Sequence, residues 1–173
     1  MTENIKPSHE QHEEAAKTKA VSVGLVTVSD TRTEETDKNG IYLKAELERL
    51  GHSLAAYIII PDEAKDVQRA LQTMLAADAQ IIVFNGGTGI ARRDATIDVL
   101  QGLFQKELPG FGEIFRVLSY EEIGAAAMLS RATAGVIEGR VIFSTPGSHG
   151  AVCLAWEKLI APQLRHLAWE LVR

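Results

Sequence analysis

Apolar residues along the chain fall into two kinds of segment, short β-branched runs and longer stretches with helical spacing. Three runs of strand length occupy residues 20–28, 54–60 and 81–84. Residues 41–50 and 64–77 carry leucine, valine and methionine side chains along one helical face. Strands that alternate with helices in this way predict βαβ units, so we expect a mostly parallel sheet with helices on both faces.

The second half of the chain departs from this alternation. A Pro-Gly-Phe-Gly stretch at residues 109–112 predicts a break in the chain before a helix over residues 113–122. Residues 132–137 and 140–143 flank a Glu-Gly pair. They predict a hairpin that adds one antiparallel strand to the sheet.

The C-terminal segment, residues 151–173, predicts two short helices separated near Pro162. The residues expected to face inward are Trp156, Leu159, Leu164 and Leu167. Cys153 lies in the apolar stretch AVCLAW, which favours a buried structural thiol over a nucleophile. Because the sequence has a single cysteine, an internal disulfide and a cysteine-cluster metal site are excluded.

Composition and charge narrow the classes of function. The 173 residues carry a net charge of −5 and 46% are hydrophobic, which suits one domain with a sizeable core and does not favour a nucleic-acid partner. Residues 1–18 are polar and charged, so we expect a flexible tail before a single α/β domain over residues 19–173. No apolar run approaches the roughly 20 residues of a membrane span, so we expect a soluble cytoplasmic protein without a membrane partner.

The stretch FNGGTGIARRDAT, residues 84–96, carries the clearest candidate chemistry. Gly86, Gly87 and Gly89 follow an apolar strand, where glycine can bare backbone N–H groups to an anion such as phosphate. A tight strand-to-helix turn is the simpler interpretation of the glycines alone. The stretch matches neither the Walker loop nor the dinucleotide-binding GxGxxG pattern.

Charged residues follow these glycines. Arg92 and Arg93 carry guanidinium groups suited to phosphate, or they are solvated surface charges. Asp94 would repel an anionic ligand unless a Mg²⁺ ion lay between them or the carboxylate took up a proton, and Asp62, after another strand, could join it. Ligands of parallel sheets bind outside the carboxyl ends of the strands. The loops expected to meet there are residues 29–30, 61–63, 85–89 and 144–148.

Several motifs occur in an order that resembles the MoaB/MogA family of molybdenum-cofactor biosynthesis proteins. NGGTGIARRDAT resembles the family's TGGTG…RD.T signature, and the likeness extends from about residue 21 to residue 165. The other matching motifs are VSD (28–30), DxxG (37–40), PDE (61–63), PGFGE (109–113) and PGS (146–148). The stretches that resemble the MoaB branch more than the MogA branch are residues 115–124, 129–135 and 156–164.

The resemblance implies a three-layer α/β/α sandwich that assembles as a trimer or hexamer and binds molybdopterin, a pterin dithiolene with a terminal phosphate. Active members of the family adenylylate that phosphate with Mg-ATP, which implies ATP as substrate, Mg²⁺ as cofactor and other proteins of the pathway as partners. By position, Asp62 and Asp94 match two functionally important aspartates, as catalytic residues and Mg²⁺ ligands. The implied ligand-binding residues are Ser29, Asp30, Gly86, Gly87, Thr88, Gly89, Arg93, Gly147 and Ser148.

Three positions depart from the family pattern. Asn85 stands where threonine is usual, Asn39 replaces a serine before Gly40, and His149 follows Ser148 where a proline is common. His149 adds a titratable group beside the expected ligand. An exposed loop residue is the simpler interpretation of it than a catalytic base.

A molybdopterin adenylyltransferase is the leading hypothesis from the sequence, and two others stay open. A binding or carrier protein of the same fold would hold molybdopterin without turning over ATP, and the MoaB-like segments are compatible with it. Asp94, the acid that ends the Ala-Arg-Arg-Asp stretch, favours an active enzyme over a carrier. An unrelated nucleotide-binding α/β domain is disfavoured because neither standard phosphate-loop pattern is present.

Overall fold

The computed structural model describes residues 19–172, which contain one six-stranded sheet. Its strands are β1 (Ser22–Val28), β2 (Ser53–Ile60), β3 (Ile81–Asn85), β4 (Lys106–Glu107), β5 (Thr133–Ile137) and β6 (Arg140–Thr145). Their spatial order is β2-β1-β3-β6-β5-β4. The four strands β2, β1, β3 and β6 are parallel, and β5 is antiparallel to both of its neighbours. The tail predicted for residues 1–18 lies outside the described residues.

Helices connect the strands and end the described chain. The α-helices are α1 (Lys38–Leu50), α2 (Ala64–Ala76), α3 (Thr96–Gln101), α4 (Pro109–Ile123), α5 (His149–Ala155) and α6 (Leu164–Glu170). A 3-10 segment (Gly124–Leu129) follows α4. Between α5 and α6 the chain passes through a π-helical and a 3-10 segment (Trp156–Ile160 and Ala161–Gln163). No helix within residues 19–172 is both long enough and apolar enough to cross a membrane.

The helices cover both faces of the sheet, as the apolar pattern predicts. On one face α2 contributes the buried side chains of Leu71 and Met74 to a core shared with α3. On the other, Leu47 of α1, Phe115 of α4 and Trp156 form a second core with the C-terminal helices. Full burial of one such side chain contributes about 1.5–3 kcal/mol, so both layers stabilise the sheet that positions the loops. The predicted three-layer α/β/α sandwich is confirmed.

Two helices begin earlier than predicted. α4 begins at Pro109, so the predicted break before residue 113 is wrong. Proline suits the first turn of a helix, because the backbone N–H groups there have no acceptor within the helix and the lack of one costs no hydrogen bond. Gly112 then lets α4 approach β5 closely, since a Cβ at this position would lie 2.5 Å from the Ala132 carbonyl oxygen. α1 begins at Lys38, because the Asp37 carboxylate caps the helix by accepting the N–H of Asn39 at 3.2 Å.

The far edge of the sheet and the C-terminal segment also refine the prediction. The predicted hairpin of β5 and β6 is present, with β5 as the one antiparallel strand, and the short strand β4, which was not predicted, pairs antiparallel with the outer edge of β5. The predicted interruption near Pro162 is confirmed by the 3-10 segment there. The sequence predicted a buried thiol at Cys153, but the structure shows this residue only half-buried. Of the predicted inward-facing residues, two are buried and two partly buried: Trp156 and Leu164, then Leu159 and Leu167.

Candidate functional site

The carboxyl ends of the four parallel strands bring their loops together at one edge of the sheet. Ser29, after β1, donates its N–H to the carbonyl oxygen of Ile60 at 2.8 Å, which joins the first two loops. Gly86, after β3, donates its N–H to the carbonyl oxygen of Thr145 at 3.0 Å. A Cβ at Gly147 would lie 3.1 Å from the Gly86 Cα, so the PGS loop (residues 146–148) touches the glycine turn (residues 86–89).

The backbone of the glycine turn requires glycine. Gly86 and Gly87 have φ values of +103° and +64°, which side-chain-bearing residues rarely adopt. A Cβ at Gly86 would lie 2.3 Å from the Val28 carbonyl oxygen, and one at Gly87 would lie 2.2 Å from the Thr96 hydroxyl oxygen. Thr88 of the same turn is buried, with 6% of its surface exposed. The close packing therefore explains the two glycines, and it places the turn against β1 and the start of α3.

Asp62 and Asp94 lie next to each other beneath this turn. Asp62 accepts the N–H of Ala95 through Oδ1 at 3.3 Å, and Asp94 accepts the N–H of Ala91 through Oδ2 at 2.8 Å. Burial raises the pKa of the Asp62 carboxyl, the Ala95 N–H opposes that rise, and the adjacent Asp94 carboxyl adds to it. Two neighbouring carboxylates of this kind are stabilised by a shared proton or by a cation between them.

A divalent cation held by this pair would take its remaining ligands from groups other than His, Cys, Asp and Glu side chains. Within residues 19–172, no group of three or more His, Cys, Asp or Glu side chains could hold a metal ion. Mg²⁺ suits such an arrangement, because it is commonly held by one or two carboxylates together with water and substrate phosphates. Gly89 leaves room for the acid, since a Cβ there would lie 2.6 Å from Asp94 Oδ2.

Arg93 and Asp30 form an ion pair that connects the glycine-turn segment with the loop after β1. Asp30 also accepts the N–H of Asp62 through Oδ1 at 3.4 Å. Arg92 is exposed and Arg93 is more than half exposed, with 59% of its side-chain surface accessible. The Arg93 guanidinium therefore approaches the acid pair while its charge is partly balanced by Asp30.

A cavity of about 510 Å³ opens beside this ion pair. Its lining includes Ser29, Asp30, Arg32, Tyr57 and Pro61. The Ser29 hydroxyl oxygen accepts the N–H of Arg32 at 3.3 Å, so it closes its own turn. The cavity has the size of a small-molecule pocket and mixes polar with apolar walls.

The sequence did not single out the side chains that surround the buried carboxylate of Asp37. Asp37 Oδ2 accepts the hydroxyl groups of Thr27 at 2.6 Å and Tyr57 at 2.8 Å, and Oδ1 accepts Arg32 Nη1 at 3.1 Å. Burial acts to raise the pKa of Asp37, but these hydrogen bonds, a backbone bond from Gly40 and the Arg32 charge together lower it. Asp37 is therefore an ionised anchor for the loops around it.

Two arginines reach the candidate loops from elsewhere in the chain. Arg32 Nη2 donates to the Gly147 carbonyl oxygen at 3.1 Å. Arg131 Nη1 donates to the Gly89 carbonyl oxygen at 3.1 Å, while its Nη2 pairs with Asp98 at 2.7 Å. No local pattern marked Arg32, whereas Arg131 lies in the LSRATAG stretch that resembles the MoaB branch.

His149 is exposed, but it is the first residue of α5 and not the loop residue that the sequence suggests. Its Nδ1 lies 3.0 Å from Asn39 Oδ1, and its ring meets that of Tyr42 edge-on with 5.6 Å between the ring centroids. Ser148, before it, is exposed and makes no side-chain cap to the helix. His149 thus turns toward α1 on this side of the PGS loop.

Comparison with known proteins agrees with this architecture. Residues 24–166 match the family described as a probable molybdopterin binding domain. The chain is 56% identical over 149 residues to molybdenum cofactor biosynthesis protein B of Bacillus subtilis (strain 168), covering 85% of this chain and 88% of that protein. A crystal structure of a molybdenum cofactor biosynthesis protein B superposes with a TM-score of 0.87 at 49% identity, over 90% of this chain and 98% of the other.

A second structure gives the same result. The tungsten cofactor synthesizing protein MoaB from Pyrococcus furiosus superposes with a TM-score of 0.82 at 41% identity, over 90% of this chain and 99% of the other. The fold places this chain among the α/β proteins with a mostly parallel sheet, a class in which ligands commonly bind outside the carboxyl ends of the strands. The chain belongs to the MoaB family of molybdenum-cofactor biosynthesis proteins and carries that family's molybdopterin-binding domain.

Proposed function

We propose that this protein adenylylates the terminal phosphate of molybdopterin with Mg-ATP. In this reaction a phosphate oxygen of the pterin attacks the α-phosphorus of ATP, a new P–O–P bond forms, and pyrophosphate leaves. The observation that carries the proposal is the adjacent pair of carboxylates, Asp62 and Asp94, beneath the glycine turn. An acid pair beside an anionic ligand is unfavourable unless a cation or a proton accompanies it.

Each candidate residue has a role in this proposal. Asp62 and Asp94 would hold Mg²⁺, which when bound supplies positive charge to offset the transferring phosphates. The glycine turn and the PGS loop bind and orient the phosphate-bearing end of molybdopterin through backbone N–H groups. Arg93 adds a cationic group at the mouth of the site. The cavity beside Ser29 and Asp30 accommodates a ring of the pterin or the nucleotide.

Mass analysis of the bound pterin tests the proposal directly. The purified protein is incubated with molybdopterin, ATP and Mg²⁺, and a parallel sample contains EDTA in place of the metal. We expect molybdopterin to gain one AMP unit with release of pyrophosphate, and no gain with EDTA. Unmodified molybdopterin in all samples would contradict the adenylyltransferase function.

A non-catalytic carrier of molybdopterin is the second candidate function. The ion pair between Arg93 and Asp30 favours it, because it partly neutralises a group that phosphoryl transfer would use. The carrier function predicts the same affinity for molybdopterin with and without ATP and Mg²⁺. The mass experiment separates the two functions, since only the enzyme changes the mass of the pterin.

We further propose that copies of this chain associate as a trimer or hexamer through the exposed side of α4. The described residues carry an apolar stripe along α4 and the 3-10 segment after it, whose members are each at least half exposed: Ile114, Val117, Tyr120, Ile123, Met128 and Leu129. A cavity of about 560 Å³ lies along the stripe. Contiguous apolar surface of this kind commonly marks a protein interface, and a second copy of the chain is the occupant that the proposal names.

A further inference from the structure

The three positions that depart from the family pattern are joined by hydrogen bonds. Asn39 Nδ2 donates to Asn85 Oδ1 at 2.9 Å, and Asn39 Oδ1 lies 3.0 Å from His149 Nδ1. Both asparagines are fully buried, with 0% of their surface exposed. Asn39 belongs to α1, Asn85 ends β3 and His149 begins α5. Their hydrogen bonds therefore connect three elements that frame the candidate site.

The direction of these bonds follows from partners that can only accept. Asn85 Nδ2 faces the Val26 carbonyl oxygen at 3.2 Å, and Asn39 Nδ2 faces the Gly147 carbonyl oxygen at 2.9 Å. These contacts fix the orientation of both amides. His149 must then carry its proton on Nδ1 and donate it to Asn39 Oδ1.

The same direction continues to a buried carboxylate. Asn85 Nδ2 also donates to the Thr27 hydroxyl oxygen at 3.0 Å, and the Thr27 hydroxyl donates to Asp37 Oδ2 at 2.6 Å. Along the path from His149 through Asn39, Asn85 and Thr27, each donor therefore points toward the Asp37 charge. Reversing either amide would place two donors or two acceptors face to face, so the network permits one arrangement.

We propose that Asn39 is a positioning residue for the ligand site and that it acts through the Gly147–Ser148 peptide. The Gly147 carbonyl oxygen accepts from Asn39 Nδ2 at 2.9 Å and from Arg32 Nη2 at 3.1 Å. In a trans peptide the N–H lies opposite the C=O, so both donors hold the Ser148 N–H on the side away from themselves. Because Gly147 touches Gly86, the orientation of this peptide determines which backbone groups of the PGS loop lie beside the glycine turn.

The substitution Asn39→Asp tests the proposal with little change in size. A carboxylate has no proton to donate, so an oxygen would face the carbonyl of Gly147 and Oδ1 of Asn85. This inference rests on the proposed function only in using molybdopterin as the ligand. We expect the Kd for molybdopterin to rise about tenfold or more, and amide hydrogen exchange over residues 146–149 to accelerate.

Two further variants separate positioning from general stability. His149→Ala removes one partner of Asn39 but keeps its bonds to Gly147 and Asn85, so we expect a smaller rise in Kd than for Asn39→Asp. Ile81→Ala, at the opposite end of β3, lowers the unfolding temperature without touching the loops. We expect it to leave both the Kd and the exchange of residues 146–149 unchanged. If Asn39→Asp does not fold, Asn39→Ala replaces it, because a methyl group donates no hydrogen bond to Gly147 or Asn85.

The outcomes are distinct. Unchanged Kd and unchanged exchange in the folded Asn39 variant would overturn the positioning role, as would an equal rise in Kd in Ile81→Ala. A wild-type protein that binds molybdopterin but leaves it unmodified would contradict the adenylyltransferase function alone. If the wild type does not bind molybdopterin, the proposed function fails, and the exchange of residues 146–149 still decides whether Asn39 fixes the peptide.

Discussion

Among single residues, Asp94 separates catalysis from binding most cleanly. Asp94→Asn removes the charge that would hold a cation, while an amide oxygen can still accept the Ala91 N–H. We expect turnover of molybdopterin with ATP to fall about 10²-fold or more, because electrostatic stabilisation of a transition state is worth a few kcal/mol. The Kd for molybdopterin should change little, since a carboxylate does not attract an anion. Turnover and equilibrium binding are the measurements.

A matched control and a double variant sharpen the Asp94 experiment. Asp78 lies outside the candidate site, where its carboxylate pairs with Arg140 Nη2 at 2.6 Å. Asp78→Asn removes this charge and should leave turnover unchanged. If Asp62 and Asp94 serve one cation, the double variant Asp62→Asn/Asp94→Asn should lose little more activity than either single variant. Full activity in Asp94→Asn would refute its assignment to the site.

Asp62 links function to stability. Its pKa is raised by burial and by Asp94, so above that raised pKa the ionised side chain destabilises the folded state. We expect Asp62→Asn to raise the unfolding temperature at pH 7 by about 2–4 °C, the shift that about 1 kcal/mol produces in a domain of this size. The gain should shrink as the pH falls through the raised folded-state pKa, and it should vanish below the unfolded-state pKa of about 3.9, where the carboxyl is protonated in both states. Thermal unfolding of both proteins at pH 7 and near pH 4 measures this, and a lower unfolding temperature for the variant at pH 7 would contradict it.

At the scale of elements, the glycine turn shows how tightly the loops are packed. We expect Gly87→Ala to lower the free energy of unfolding more than Gly51→Ala does. Both glycines have positive φ, +64° and +71°, but a Cβ at Gly87 would meet Thr96 at 2.2 Å and Asp62 at 2.7 Å, whereas Gly51 has no atom within 4 Å. Strain alone costs about 1–2 kcal/mol, and the clash adds to it only at Gly87. Urea unfolding of both variants gives the comparison, and equal losses would mean that the turn rearranges freely.

The starts of α1 and α4 show which element boundaries the sequence concealed. The apolar spacing of α1 begins at Ile41, but the Asp37 cap starts the helix at Lys38, where the pattern is polar. Pro109 and Gly110 suggest a loop by residue type, yet both lie in the first turn of α4. Periodicity reports which face of a helix is buried, and it carries little information about a first turn that is set by capping and by contacts with other elements.

At the scale of the whole molecule, the apolar stripe on α4 predicts association. Val117→Glu places a charge at its centre, and burying an unpaired charge in an interface is costly. We expect the wild type to have the mass of a trimer or hexamer by light scattering at micromolar concentration and the variant to have a lower mass. Ile41→Glu, at a residue of α1 that is 48% exposed, is the matched control and should keep the wild-type mass. A monomeric wild type would refute the assembly.

The sequence by itself determined the α/β class, the alternation of parallel strands with helices along the chain, and the segments that carry the candidate ligand-binding residues. These features follow from apolar periodicity and local motifs, which are properties of neighbouring positions. It also marked Asn39, Asn85 and His149 as unusual, one position at a time. Only the tertiary structure decided that these three share one hydrogen-bonded network, that Arg32 holds Gly147, and that Asp62 lies beside Asp94. Such contacts join residues dozens of positions apart, and their geometry exists only once the packing of strands and helices has brought the loops to one edge of the sheet.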